Sequence, residues 1–370
     1  MVIKRISLLN YKNIVEVDLT FSNKLNCFFG LNGMGKTNLL DAIYYLSFCK
    51  SATNPIDSQN IRHGADFFMI QGWYDSLEKE VEELDEIYCG VKRRQKKQFK
   101  RNKKEYTKLS DHIGRIPLVM VTPADSVLIL GGSDERRKFM DVVISQYDKK
   151  YLSALIQYNK AMAHRNALLK NDERIADDEF VIWEEIMAET GTFVHEGRVR
   201  FIEEFTPIFQ EFYSLISTGQ EKVRLTYSCQ LFEDPLSTLL SQSRERDRIM
   251  GFSLKGIHKD DLVMELGGFP IKKEGSEGQT KTFLIALKLA QFAYLKRTGA
   301  KTPLLLLDDI FDKLDAERVE QIVKLVASDA FGQIFITDTN REYLDSILQK
   351  IGGDYKMFQV MNGQVEELSN

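Results

Sequence analysis

Cysteine is scarce in this chain: Cys27, Cys49, Cys89 and Cys229 are the only four among 370 residues, and none are set at metal-ligand spacing. That excludes a zinc ribbon or a disulfide-stapled scaffold, and free thiols in a reducing compartment are expected. Histidine is as thin. His63, His112, His164, His195 and His258 are scattered and form no ligand set, so each is read as a surface or hydrogen-bonded core residue. No apolar run reaches the ~18 residues of a membrane span. The start, Met1-Val2-Ile3-Lys4-Arg5, leads into alternation rather than an apolar export segment. A cytoplasmic protein without a membrane partner is the expectation. Charge of one sign is also lacking overall, at net −4. Such a balance says nothing about partners unless the charge is concentrated. There is no internal repeat.

What is present begins near the start. Gly30-Leu31-Asn32-Gly33-Met34-Gly35-Lys36-Thr37 matches G-x-x-x-x-G-K-[ST] in full. The apolar run Leu25 to Phe29 precedes it, and Leu39, Leu40, Ile43, Tyr44 and Leu46 follow at helical spacing. Strand, glycine loop, helix is the context that makes such a match a phosphate site. Glycines expose backbone N–H groups, and the helix aims its positive end at the same phosphates. Lys36 supplies a point charge for the β- and γ-phosphates, and Thr37 a hydroxyl for Mg²⁺. The bland alternative is a glycine turn with a surface lysine.

The partner element lies near the other end. Leu304-Leu305-Leu306-Leu307-Asp308-Asp309 is an apolar strand ending in two carboxylates. A lone carboxylate is costly to bury without a cation, so Asp308 is read as holding Mg²⁺ through water, with Thr37. Capping the next helix is the plainer role for it. Asp309 is placed to polarise an attacking water, which makes Lys36, Asp308 and Asp309 the candidate catalytic set. Ser276-Glu277-Gly278-Gln279 opens an apolar helix through Ala290. Taken alone, that turn is as well explained by capping as by anion binding.

Between these parts the chain changes character. Residues 57–118 read as a meander of exposed strands, with an acidic block from Glu78 to Glu86. A basic run follows it: Lys92, Arg93, Arg94, Lys96, Lys97, Lys100, Arg101, Lys103 and Lys104. A turn at Asn102-Lys103 would make that run a ribbon for DNA phosphates, or else a solvated edge hairpin whose lysines block aggregation. Arg136 and Arg137 are the alternative DNA contacts. From Asp134 the pattern is helical. Tyr151, Leu155, Tyr158, Met162 and Leu169, then Phe180, Trp183, Met187, Val194 and Phe201, predict a short antiparallel pair. The pair is expected to break near Pro207, with a longer arm of roughly 40 Å. Ser237 to Arg248 reads as a polar loop. The fold expected is α/β, with a mixed sheet around the glycine loop and an inserted helical lobe. Residues 1–130 and 250–370 form the head, and 131–249 the insert.

In order along the chain stand "LLNYKNI", "GLNGMGKTNLLDAIYYLSFCKS", "TPADSVLILGGSDERRKFMD", "YNKAMAHRNALLK", "GIHKDDL", "GSEGQTKTFLIALKLA" and "LLLLDDIFDKLD". This set resembles the RecF family of bacterial recombination mediators, in the SMC-like branch of ABC ATPases, over nearly the whole chain. The resemblance implies an ABC-type head that binds ATP and Mg²⁺ and hydrolyses ATP weakly. It also implies a homodimer in which Ser276, Gly278 and Gln279, the ABC signature, cap the γ-phosphate of the other copy, with Asp315 in the D-loop. Double-stranded and gapped or junction DNA is the implied substrate, and RecR, RecO and indirectly RecA are the implied partners. Three departures stand out. Glu277 replaces a frequent Gln, Asp312 a frequent Ser, and Asp309 the longer Glu of many related ATPases, which implies slow hydrolysis. Thr337 stands where many ABC ATPases carry a switch His, and Thr122 to Asp125 fall near the Q-loop. An SMC-like structural ATPase and a transporter-type nucleotide-binding subunit are the competing readings. The first lacks sustained heptads here; the second does not fit the helical insert.

Overall fold

The computed structural model describes residues 1–75, 84–171, 175–217, 221–311, 314, 316–328, 330–339, 341, 344–345, 348 and 354–368. Along the chain run β1 (Val2–Tyr11), β2 (Ile14–Thr20), β3 (Leu25–Phe29), α1 (Lys36–Phe48), β4 (Phe67–Asp75), β5 (Asp85–Lys92), β6 (Gln98–Arg101), β7 (Lys104–Glu105) and β8 (Leu118–Val121). Then come α2 (Val127–Leu130), α3 (Ser133–Tyr147), α4 (Lys149–Leu169), α5 (Asp178–Ser217), β9 (Val223–Ser228), α6 (Leu236–Met250), β10 (Asp261–Leu266), β11 (Phe269–Pro270) and α7 (Ile271–Glu274). The rest is α8 (Glu277–Thr298), β12 (Leu304–Asp308), α9 (Ala316–Ala327), β13 (Ile334–Asp338), β14 (Tyr355–Met361) and β15 (Gln364–Glu367). Two compact units result, one of Met1–Asp125 with Gln291–Asn370, the other of Ser126–Ala290. Residues 250–290, assigned above to the head, pack with the second unit.

The first unit holds two six-stranded sheets. One, in the order β15-β14-β3-β13-β12-β8, is parallel except for β15, and the other, β2-β1-β4-β5-β6-β7, is antiparallel. Strands β3, β8, β12 and β13 are buried along their whole length because both faces are covered. Leu304, Leu305, Leu306 and Leu307 are each 0% exposed, worth roughly 1.5–3 kcal/mol apiece in removal from water. Helix α1 packs on strands of both sheets, which is why it is buried nearly all round rather than along one stripe. Strands β4 and β5 alternate instead, with Phe68, Ile70 and Tyr74, and Ile87, Cys89 and Val91, turned inward. These strands, expected to be exposed, are therefore half-buried. Most of the acidic block Glu78 to Glu86 lies outside the described residues.

In the second unit α4 lies along α5, and Gly191 and Gly197 let Tyr158 and Tyr151 approach the α5 backbone. Helix α5 runs 40 residues unbroken through Pro207, about 60 Å at 1.5 Å per residue. It corrects the expected break and the shorter arm. Pro207 lies on the exposed side, as does Glu203, whose carbonyl loses its intrahelical donor to the proline. On the opposite side Phe201, Phe205, Phe209 and Tyr213, all fully buried, keep one stripe in register across the proline. Packing holds what local propensity would break.

Residues Ser237 to Arg248 are a second correction, since they belong to helix α6 and not to a loop. Leu236, Leu239, Leu240, Ser243 and Asp247 form its inner face. Its charges are there to be paired. Arg165, fully buried, bonds Asp247 at 2.8 Å and Glu184 at 3.0 Å, while Arg244 reaches Glu184 at 2.6 Å. Nearby, Arg198 joins Asp260 at 2.7 Å and Asp141 at 3.0 Å. Among the described residues no helix is long and apolar enough to cross a membrane, and no metal-binding cluster occurs. The four cysteines are free thiols, three of them buried.

Candidate functional site

The glycine loop takes the backbone that its composition predicts. Gly33 (φ 82°) and Gly35 (φ 112°) sit in the left-handed region, and a Cβ on Gly30 would lie 2.3 Å from Val360 O. Gly35 precedes α1 without any side-chain cap, so the first N–H groups of that helix keep their capacity to bond an anion. Leu31 and Asn32 are exposed at the loop tip, and Met34 anchors its far side by accepting Gly363 N–H at 2.9 Å. Lys36 Nζ donates to Gly30 O (2.7 Å) and Leu31 O (3.3 Å).

Strand β12 delivers Asp308 to this loop across 271 positions of sequence. Thr37 Oγ1 donates to its two carboxylate oxygens at 2.9 and 3.1 Å, and Thr337 Oγ1 donates to Oδ1 at 2.7 Å. Burial pushes the Asp308 carboxyl above the ordinary range, while the two threonine hydroxyls and Lys36 oppose that push. Such a group gains from a cation. Thr337 also accepts the Asp309 N–H at 3.0 Å, which ties the two aspartates together. Asp309 itself has φ 45°, a left-handed turn directly after the strand.

Several residues here escaped site assignment from sequence. Asn13 Nδ2 donates to Met34 O (3.2 Å) and its Oδ1 accepts from Asn38 (2.7 Å), so the β1–β2 turn braces the glycine loop. The fully buried Asp41 collects Tyr11 (2.6 Å), Lys12 (2.5 Å), Ser51 (2.7 Å) and the Ala52 N–H (2.6 Å). Lys12, Asn13, Asn38, Arg62, His63 and Arg93 line a cleft of about 960 Å³ beside the loop. The signal was present in the "LLNYKNI" block, but nothing local says that it touches residues 34–41.

The serine turn belongs to the second unit. Ser276 N–H donates to Gln279 Oε1 (2.8 Å) and Gln279 N–H to Ser276 Oγ (3.3 Å), a reciprocal capping box at the start of α8. Glu277 and Gly278 form the first turn of that helix. Asp315, like Asp312 and Lys313, lies outside the described residues.

In the basic run, Asn102 (φ 49°) and Lys103 (φ 66°) form the two-residue turn between β6 and β7, with the positive φ values of a type I′ hairpin. Not every charge faces out. Lys97 is drawn inward by Asp57 (2.8 Å), Cys49 O (2.7 Å) and Tyr45 OH (3.2 Å), capping the carboxyl end of α1. Arg101 pairs with the buried Asp85 at 2.7 Å, and Lys100 lies over the Tyr88 ring. Lys92, Arg93, Arg94, Lys96, Lys103 and Lys104 remain exposed, although Arg93 also donates to Ala65 O. Arg136 is engaged by Asp261, and Arg137 by Ser133 and Asp260 O.

Residues 2–363 match the family model described as the RecF/RecN/SMC N terminal domain. Over 368 residues the chain is 68% identical to the DNA replication and repair protein RecF of Bacteroides fragilis, covering 100% of this chain and 99% of that protein. It is 58% identical to the protein so named in Parabacteroides distasonis, with both chains fully covered. The fold matches the recombination mediator protein RecF-ATP in the RecFOR pathway, with TM-score 0.89, 29% identity, and 100% and 98% of the two chains covered. An Smc head domain from Pyrococcus furiosus matches at TM-score 0.60 and 19% identity, over 100% of this chain and 96% of that one, which is a likeness of fold. The chain therefore belongs to the RecF family, in the SMC-like branch of ABC ATPases.

Proposed function

We propose that this protein is an ATP-dependent DNA-binding switch of DNA replication and repair, a weak ATPase that dimerises on ATP and is released by hydrolysis. The carrying observation is that Lys36, Thr37 and Asp308 come together at one uncapped helix end although the chain separates them widely. Gly30, Leu31, Asn32, Gly33, Met34 and Gly35 provide backbone donors to the phosphates of ATP, and the cleft lined by Asn13 and Asn38 has room for the nucleoside. Thr37 and Asp308 are the residues that would hold Mg²⁺. Their chemistry fits, as a hydroxyl beside a carboxylate whose burial disfavours charge without a cation. Held there, Mg²⁺ would supply positive charge to offset that of the phosphates.

Asp309 orients the attacking water from its strained turn. Its short side chain makes the step slow, suited to timing rather than motion. Ser276, Gly278 and Gln279 of one copy complete the site of the other, with Asp315 beside them. By function, residues 250–290 are counted with the head (1–130 and 250–370) although they pack with the second unit, and 131–249 form the inserted lobe. Exposed lysines and arginines of the 92–104 ribbon contact phosphates of duplex and gapped DNA without reading bases. Family membership supports the wider task, in which RecR and RecO act with this protein to help RecA load on gapped single strands. Its site of action is the cytoplasm.

Sizing by light scattering with and without ATP tests the core of this reading. The expected result is an ATP-dependent dimer that Ser276→Arg abolishes while nucleotide affinity changes by less than about twofold. A dimer that forms normally in Ser276→Arg overturns the composite site.

A further inference from the structure

Gln279 is held by more than its own helix. Its Oε1 accepts the Ser276 N–H at 2.8 Å, and its Nε2 donates to Glu221 Oε1 at 2.6 Å. A carboxylate only accepts hydrogen bonds, whereas a carboxamide presents an acceptor on one side and donors on the other. Glu221 therefore decides which way the Gln279 amide faces. With Nε2 turned to Glu221, Oε1 is left to close the capping box on Ser276. Ser276 Oγ already accepts from the Gln279 N–H, so its hydroxyl proton is the one it has left to donate elsewhere. Glu221 is itself fixed from behind: Tyr213, fully buried in the last turns of α5, donates its hydroxyl to Oε2. Tyr213 packs on Phe283 of α8 at 5.9 Å between ring centroids, and Phe209 does so at 4.7 Å.

We propose that Glu221 is a positioning residue for the Ser276 turn, and that the chain Tyr213–Glu221–Gln279–Ser276 couples the end of the 40-residue α5 to it. The proposal rests on the composite-site reading above. A displacement of the α5 end, as when a partner loads the helical lobe, withdraws Glu221 and frees the Gln279 amide to flip. The capping box then opens, and the Ser276 hydroxyl loses its fixed direction toward the phosphate of the other copy. Glu221 touches no nucleotide in this scheme. It acts only through Gln279.

A double-mutant cycle on the full-length protein tests this. Glu221→Ala is expected to weaken ATP-dependent dimerisation about tenfold, and Gln279→Ala about as much, with the double variant no worse than either alone. Tyr213→Phe keeps the ring packing and loses only the hydroxyl, so a smaller loss of about threefold is expected. Glu221→Gln restores an acceptor and recovers most of the loss. Nucleotide affinity of the single copy stays unchanged in all of them. Hydrogen exchange of the Ser276 amide rises in Glu221→Ala while the rest of α8 keeps its protection, a readout that separates loss of the box from general loosening. Additive effects of Glu221→Ala and Gln279→Ala, or unaltered Ser276 exchange, overturn the proposal. If Ser276→Arg blocks dimers and Glu221→Ala does not, this inference fails alone; if Ser276→Arg also dimerises, the composite site fails with it.

Discussion

Two clusters of buried charge in this chain are built on opposite plans. In the second unit, Arg165 and Arg198 are surrounded by carboxylates, each arginine bonded to two of them within 3.0 Å. In the first unit, Asp308 is held by two threonine hydroxyls at bonding distance, and burial leaves its carboxyl with a raised proton affinity. One cluster meets its charges with opposite charges from the same unit, although Asp260 Oδ1 is left without a hydrogen bond and burial pushes that carboxyl up as well. Buried pairs of that sort are costly to break though weak as net stabilisers. The other holds a buried carboxylate with neutral hydroxyls, which in the function proposed here leaves its charge to a cation to meet. On that reading the difference separates charges that fix the fold from charges kept for a ligand.

The comparison breaks most visibly on the paired side. Arg198→Ala leaves Asp260 and Asp141 uncompensated and should cost roughly 3–5 kcal/mol in urea unfolding. Lys36→Met should do the reverse, lowering ATP affinity about 100-fold in calorimetry while unfolding without nucleotide shifts by under ~1 kcal/mol. Equal stability losses in the two variants would erase the distinction.

A smaller effect sharpens it. His258 belongs to the paired region: its Nε2 faces Ser253 O at 2.9 Å, so it carries the proton there, and Nδ1 accepts from Tyr158 OH at 2.8 Å. Burial, ahead of all other causes, pulls its pKa down to about 4. The unfolded imidazole protonates near its ordinary value, so the unfolded state binds more protons in between. Stability is then fully present above about pH 6.5 and falls toward pH 4, by roughly 2 kcal/mol between pH 7 and pH 5 for this group. His258→Gln should flatten that part of the urea profile.

The smallest effect concerns charges that are neither buried nor paired inward. Replacing Lys92, Arg94, Lys96, Lys103 and Lys104 with Ala should flatten the salt dependence of DNA binding, its slope falling by about 0.9 for each phosphate left unneutralised. Lys97→Ala should leave that slope alone and lower stability instead, because Lys97 caps α1.

How legible this was depended on distance along the chain. Strand β3, the glycine loop and α1 were readable because strand, loop and helix are contiguous, and the Asn102-Lys103 turn because its chemistry is local. The brace from Asn13 to Met34 was not, since the two turns belong to different sheets and only the packing of those sheets brings them together. Pro207 misled because propensity is a local quantity and the aromatic stripe on α5 is not. The α6 charges misled for a related reason: Arg244 and Asp247 look solvated until their partners, from α4 and α5, are in place.

The order of strands around β3 carries a consequence for how the protein is made. Leu25 to Phe29 pairs on one side with Ile334–Asp338 and on the other with Tyr355–Met361. A growing chain emits β3 first and its neighbours roughly 300 residues later, an interval of about 15–60 s at usual synthesis rates. During that time an apolar strand and the glycine loop behind it have no sheet to join. A nascent chain cut short anywhere before β13 carries the phosphate loop without the frame that shapes it, exposed to chaperones rather than to nucleotide. Competence to bind ATP thus arrives with the last strands.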